Sequence, residues 1–339
     1  VVRQQQEKEL PLYLRALVGV GAFIASFCFI GFLAAADLID FDHKGGLIVW
    51  GLFFVASAIG LQRRARHSTL VQHSFLMQSS FASMAVGKAL FVLGISEFLD
   101  SGWGATLGLL IITILTYNIY RMSIDRFLSS FAVLFSFLAN ILWNEDVGGS
   151  RELLLNSFFL LQFAGTAILL THGKIKRDYI PLSYAFAFSL CATVLFLASY
   201  TKFSYWMHQE HIHPMFINIV LACGLVALFG WVAGSKEKLK TKPLILASAG
   251  AVLLGFISAP GIVLALGFMI LGYAKHEELL TIAGTLLLPV FLWLYYYNLD
   301  ISLLGKSAVL IGSGAVLLAG HFYLKHKGWD KGDLSCVQK

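Results

Sequence analysis

Lys88 stands inside a long apolar run, Leu70–Ile95, away from either end of it. An ammonium near the middle of a bilayer costs about 2.5–3.5 kcal/mol on insertion scales, so it demands a carboxylate, carbonyls or water beside it. Glu97, nine residues further along the same expected helix, would lie about 13 Å away, too far to be a direct partner. Two readings follow: a substrate or proton site within a helix bundle, or a lysine whose four-carbon stem snorkels to the outer surface. Lys306 sits in a second apolar run, Leu303–Leu324, a turn from its outer end, where snorkelling toward Asp300 or water accounts for it. Asn118, Asn140, Gln162 and Asn218 are single amides in apolar surroundings, a pattern that more often bonds helix to helix than it binds a ligand. Lys88, Lys306, Asp300, Asn118 and Asn140 are the candidates for a substrate or ion pathway.

The other group able to do chemistry is His208, Glu210, His211 and His213, in the run Trp206–Pro214. Imidazole and carboxylate are proper ligands for zinc or copper. The spacing differs from His-Glu-x-x-His, which puts two ligands on one helical face, so a solvated outer loop beside an aromatic belt is the competing reading. Apart from a divalent metal at these residues, no cofactor is expected. No phosphate-cradling glycine loop, nucleophile elbow, paired-cysteine metal site or haem-ligand arrangement occurs, and an enzyme is disfavoured.

These residues need something to hold them, and the composition says what. Of 339 residues 58% are hydrophobic and 13% charged, where a soluble domain carries about 25% charged residues. Such a balance excludes an ordinary soluble enzyme, a disordered chain and a disulfide-stapled secreted domain. A bilayer core about 30 Å thick takes roughly 20 helical residues. Runs of that kind are Leu12–Leu33, Gly46–Leu61, Leu70–Ile95, Trp103–Tyr120, Phe127–Trp143, Leu153–Thr171, Tyr179–Tyr200, Met215–Ala233, Pro243–Ala259, Gly261–Tyr273, Leu279–Tyr297 and Leu303–Leu324. The expected fold is all-α: a polytopic transmembrane bundle of about twelve segments forming one membrane domain over residues 1–339, with no separate soluble domain. Backbone amides in lipid must bond within their own segment, and strict apolar/polar alternation, the mark of a barrel, is missing.

Ser258-Ala259-Pro260-Gly261 interrupts one stretch. It reads as a tight hairpin, or as one proline-kinked helix that would reduce the count to eleven. Pro289 is expected to kink its helix. Gln72, Ser79, Ser83 and Gly87 share a helical stripe, as do Gly305, Ala308, Gly312, Ala315 and Ala319; small residues permit close helix approach, so both read as packing seams. Three turns end in carboxylates, Ala36–Asp40, Ser96–Asp100 and Asn144–Asp146.

The net charge of +6 is a topology signal. With the N-terminus cytoplasmic and the chain crossing at each segment, most basic residues fall on one side, including Arg63, Arg64, Arg66, Arg121, Arg126 and the Lys236–Lys242 cluster. Such a bias is the positive-inside rule and not a nucleic-acid footprint. Both termini are then cytoplasmic and the partner is the lipid bilayer, with no nucleic acid. The four cysteines supply no disulfide framework. The first run is too long for a signal peptide and reads as a signal anchor. A chain opening on Val1 is expected to have residues before it.

A resemblance enters in the last third. Tyr295-Tyr296-Tyr297-Asn298-Leu299-Asp300, then Leu303-Leu304-Gly305-Lys306-Ser307, Gly314 and Leu317-Leu318, resemble the closing segment of the DUF4401 family of bacterial membrane proteins. Pro11-Leu12-Tyr13 and Gly21–Ala25 are similar to its start, with Phe23 where a Trp is common. The resemblance implies a bacterial inner-membrane protein, no established activity, and a partner that is another membrane protein; a homo-oligomer is the other arrangement left open. It draws attention to Lys306 and Ser307. From Lys88, Pro289 and the Pro260 break, the function expected is a transporter or channel for a small solute or ion. The alternative is a non-catalytic assembly, scaffold or sensor subunit.

Overall fold

Apolar side chains too many to bury in one another leave this chain to be dissolved by lipid, and each regular element among the described residues is accordingly a helix. A computed structural model describes residues 44–66, 70–171, 177–207, 215–234, 242–257 and 260–298, with single positions at 24 and between 302 and 322. Among the described residues there is no strand. The helices are α1 (Lys44–Ala65), α2 (Leu70–Leu99), α3 (Gly102–Ile119), α4 (Ser123–Trp143), α5 (Arg151–Thr171), α6 (Ile180–Met207), α7 (Met215–Val232), α8 (Lys242–Ile257), α9 (Pro260–Lys275) and α10 (Glu278–Asn298). Eight of them are long and apolar enough to cross a membrane, while α8 and α9 are shorter. The first and last expected runs, Leu12–Leu33 and Leu303–Leu324, lie outside the described residues but for isolated positions, so the count of twelve is not settled by these helices.

The chain divides into two compact units, Val1–Thr193 and Val194–Lys339. In the first, α1 and α2 form an antiparallel pair whose backbones nearly touch. A Cβ on Gly51 would stand 2.6 Å from the Phe91 nitrogen, and one on Gly87 would stand 2.8 Å from the Gly51 oxygen. Side chains larger than hydrogen at either position would force the helices apart. Gly87 thus belongs to a packing seam, as its stripe suggested. From α2 the chain turns at Asp100, whose positive φ of 46° is a conformation that Asp and Asn adopt more readily than most residues. Ser101 then caps α3, its Oγ accepting from the Trp103 nitrogen at 3.2 Å. The next turn, Tyr120–Met122, returns the chain as α4. On α5 and α6 the buried Gln162 satisfies both ends of its amide: Nε2 donates to Ser189 Oγ at 2.7 Å, and Oε1 accepts from Thr193 at 2.8 Å.

The second unit settles the Pro260 break. A Cβ on Gly255, near the end of α8, would meet Ala222 and the Asn218 carbonyl, in the first half of α7. Lys275, at the end of α9, lies over the Trp231 ring at the far end of α7, 5.9 Å from its centre. The two helices therefore run in opposite directions along α7, and Pro243–Tyr273 is a hairpin and not one kinked helix. Pro260 takes the first helical position, where its missing N–H costs nothing. α9 and α10 form a second close pair, with Gly284 against the Met269 nitrogen and Ala265 oxygen. Pro289 lies within α10, and the helix continues through it.

Candidate functional site

The apolar stretch of α4 begins at Phe127, but the helix starts four residues earlier, at Ser123. Its first turn therefore carries Asp125 and Arg126 into the packed interior, where both are buried. Asp125 meets Lys88. The ammonium of Lys88 donates to both carboxylate oxygens, at 2.8 and 2.7 Å, and to Ser129 Oγ at 2.7 Å. Asp125 and Ser129 are one helical turn apart and so share a face. Three acceptors use all three ammonium protons, and the side chains of the pair are 8% and 6% exposed.

The direction of Lys88 follows from helix geometry. Gly108 of α3 packs on Val92 and Ile95 of α2, while Tyr120 reaches Ser80. Lys88 leaves the backbone between those levels and extends toward the Tyr120 end, as side chains do when they point back toward their own helix N-terminus. It does not run to the Leu99 end, where the snorkelling reading would send it.

Around this pair lie further closed polar contacts. Ser80 Oγ donates to the Ala58 carbonyl at 2.7 Å, which leaves its lone pairs to accept from the Tyr120 hydroxyl at 2.9 Å. Burial pushes the Tyr120 phenol up to about 12, so it is a neutral hydroxyl at physiological pH. Arg126, next to Asp125, turns the other way. Its Nε donates to the Tyr117 carbonyl at 2.9 Å and its Nη1 to Asp178, also at 2.9 Å, while the guanidinium lies 4.9 Å from the Tyr117 ring centre. Tyr117 in turn stacks on Tyr179. Two adjacent residues thus tie the start of α4 to α2 on one side and to the segment before α6 on the other.

The opposite end of the α3–α4 hairpin is open. Asp100, Gly102, Ser136, Asn140 and Trp143 line a cavity of about 780 Å³. Asn140 is held by its nitrogen, Nδ2 donating to Thr106 Oγ1 at 2.8 Å and to the Ser136 carbonyl at 3.0 Å. Only an amide nitrogen can donate to that carbonyl, so the orientation of the side chain is fixed. Its Oδ1 is left facing Gly102, where a Cβ would stand 2.6 Å from it.

Of the candidates, the structure joins Lys88 to an acid and places Asn140 in a cavity wall. Asn118 is exposed on the last turn of α3, in neither group. Lys306 and Asp300 lie outside the described residues, as do His208, Glu210, His211 and His213. Among the described residues no three His, Cys, Asp or Glu are grouped to hold a metal. Sequence reasoning missed Asp125 and Ser129. The signal was their spacing of four, just after the Arg121 turn, but a run defined by hydropathy starts after Asp125 and leaves it outside.

Comparison with known proteins gives one match. Neither the curated proteins nor the solved structures match this chain. A domain of unknown function, DUF4401, matches residues 11–327, a span that covers all ten helices described above. This chain belongs to the DUF4401 family and is a helical membrane protein.

Proposed function

We propose that this protein is a carrier or channel-like protein for a small solute or ion. In this reading the cavity at the Asp100 end of α3–α4 receives the solute, and the Lys88–Asp125 pair, deeper on the same hairpin, is the closed barrier. The buried pair is the observation that carries it. Two charges withdrawn from water are costly, and apolar residues of similar volume are often as stable or more so. An ion pair within a membrane span is by default a functional group, since packing alone has no need of it. With the cavity open at one end and the pair closed below it, this reading takes the arrangement as the one-side-open state of an alternating-access cycle.

The reading includes a bacterial inner-membrane location, about twelve segments and cytoplasmic termini, supported by the sidedness of the basic residues. Labelling from the periplasm should leave the Lys236–Lys242 segment untouched; modification there would invert the topology.

Function is tested in vesicles containing the purified protein, with trapped pyranine reporting proton flux and radioactive sodium reporting sodium flux. Either flux should exceed that of protein-free vesicles. The double variant Lys88→Met/Asp125→Leu, whose side chains pack without charge, should fold and lose at least about tenfold of it. Absence of both fluxes, or full flux in the double variant, would refute the reading.

A further inference from the structure

We propose that the cavity at the Asp100 end is a recognition site for a small organic ammonium ion carrying N–H donors. This names the substrate class for the transport reading and rests on that reading only for the onward path of the solute. The cavity chooses its ligand by what its walls leave unused. Asn140 spends both amide hydrogens on Thr106 and Ser136, and so offers an oxygen. Asp100, exposed at the turn, offers a carboxylate. Two of the first amides of α3 are already taken: Ser101 accepts the Trp103 N–H through its Oγ and the Gly104 N–H through its carbonyl. The carbonyl end of α4, the negative pole of its dipole, lies on the other wall. Arg151 is held on the Asn144 carbonyl at 3.3 Å and is not part of the cavity lining.

These acceptors and the carboxylate call for a positively charged hydrogen-bond donor. The volume, about 780 Å³, lies in the range of pockets for organic molecules and far above that of a bare ion. Trp143 supplies an aromatic surface to the same wall, suited both to an alkyl chain and to a cation. The exposed carboxylate of Asp100 raises the local concentration of cations at the mouth. Gly102 keeps the cavity usable: a methyl group there would press on the oxygen that Asn140 presents.

The test is calorimetric titration of the full-length protein in detergent with propylammonium chloride, and with 1-propanol as the neutral counterpart. Propylammonium should bind saturably and 1-propanol should not. Asp100→Asn, which preserves a residue suited to positive φ, should weaken binding about tenfold or more. Gly102→Ala should do the same by filling the wall, while Asp178→Asn, exposed at the Tyr120 end and remote from the cavity, should leave it unchanged. Lack of saturable binding, equal binding of the alcohol, or undiminished binding in both cavity variants would overturn the proposal. Binding without any vesicle flux would keep the site and discard the transport reading, so the two fail separately.

Discussion

The two ends of the α3–α4 hairpin are built from similar residues and behave in opposite ways. At the Tyr120 end, Lys88, Asp125, Ser129, Ser80 and Tyr120 satisfy one another inside a close-packed seam. At the Asp100 end, about 22 Å along α4, Asn140 is anchored by its hydrogens and turns its oxygen toward Gly102 in the cavity wall. Polar groups in a membrane helix are therefore not equivalent as signs of function. A saturated cluster holds helices together or must break in order to act. A partly saturated one is ready for a ligand as it stands.

The largest effect should come from unbalancing the closed end. Lys88→Met leaves the Asp125 carboxylate buried without its cation and should cost about 3–5 kcal/mol, read as a lowered unfolding temperature in detergent. Lys88→Met/Asp125→Leu should recover most of that loss; a double variant as unstable as the single one would mean that packing, not charge, is the issue. Next comes the seam that supports the pair. Gly87→Ala sets a methyl against the α1 backbone and should cost about 1–3 kcal/mol by the same measurement.

Removing one contact at the edge of the cluster should do less. Tyr120→Phe deletes the hydrogen bond to Ser80 at about 0.5–1.5 kcal/mol. Because its phenol stays protonated to about pH 12, the difference between wild type and Tyr120→Phe should be flat from pH 6 to 9 (roughly the neutral range). The smallest effect belongs to the outer pair of Arg126. The Asp178 side chain is 69% exposed, so Asp178→Asn should change stability by about 0–1 kcal/mol, and less in high salt.

How far these two ends could be read from the sequence differs for a physical reason. Helices and turns follow from hydropathy and from residues such as Pro260 and Ser101, which act on their own neighbours. The hairpin at Pro260 was legible for that reason, and so was the demand of Lys88 for a carboxylate. Which carboxylate answers depends on the register of α2 against α3, where Gly108 packs on Val92 and Ile95, and of α3 against α4, and no local pattern encodes either. The same limit hid the cavity. Asn140 reads as inter-helix glue, and its nitrogen is glue; that its oxygen has room in the cavity wall depends on Gly102, nearly forty residues earlier. Hydropathy also drew the start of α4 too late, because a buried Asp and Arg lower the average of the turn in which they do most.

The contrast between the ends can be measured in one experiment. In a chain whose native cysteines are replaced by serine, Ser136→Cys and Ser129→Cys are exposed to the cationic reagent trimethylammonioethyl methanethiosulfonate and to its anionic sulfonate counterpart. The account predicts rapid modification at position 136, faster with the cation than with the anion, and protection from both at position 129. Equal labelling of the two positions, or faster labelling at 129, would contradict it.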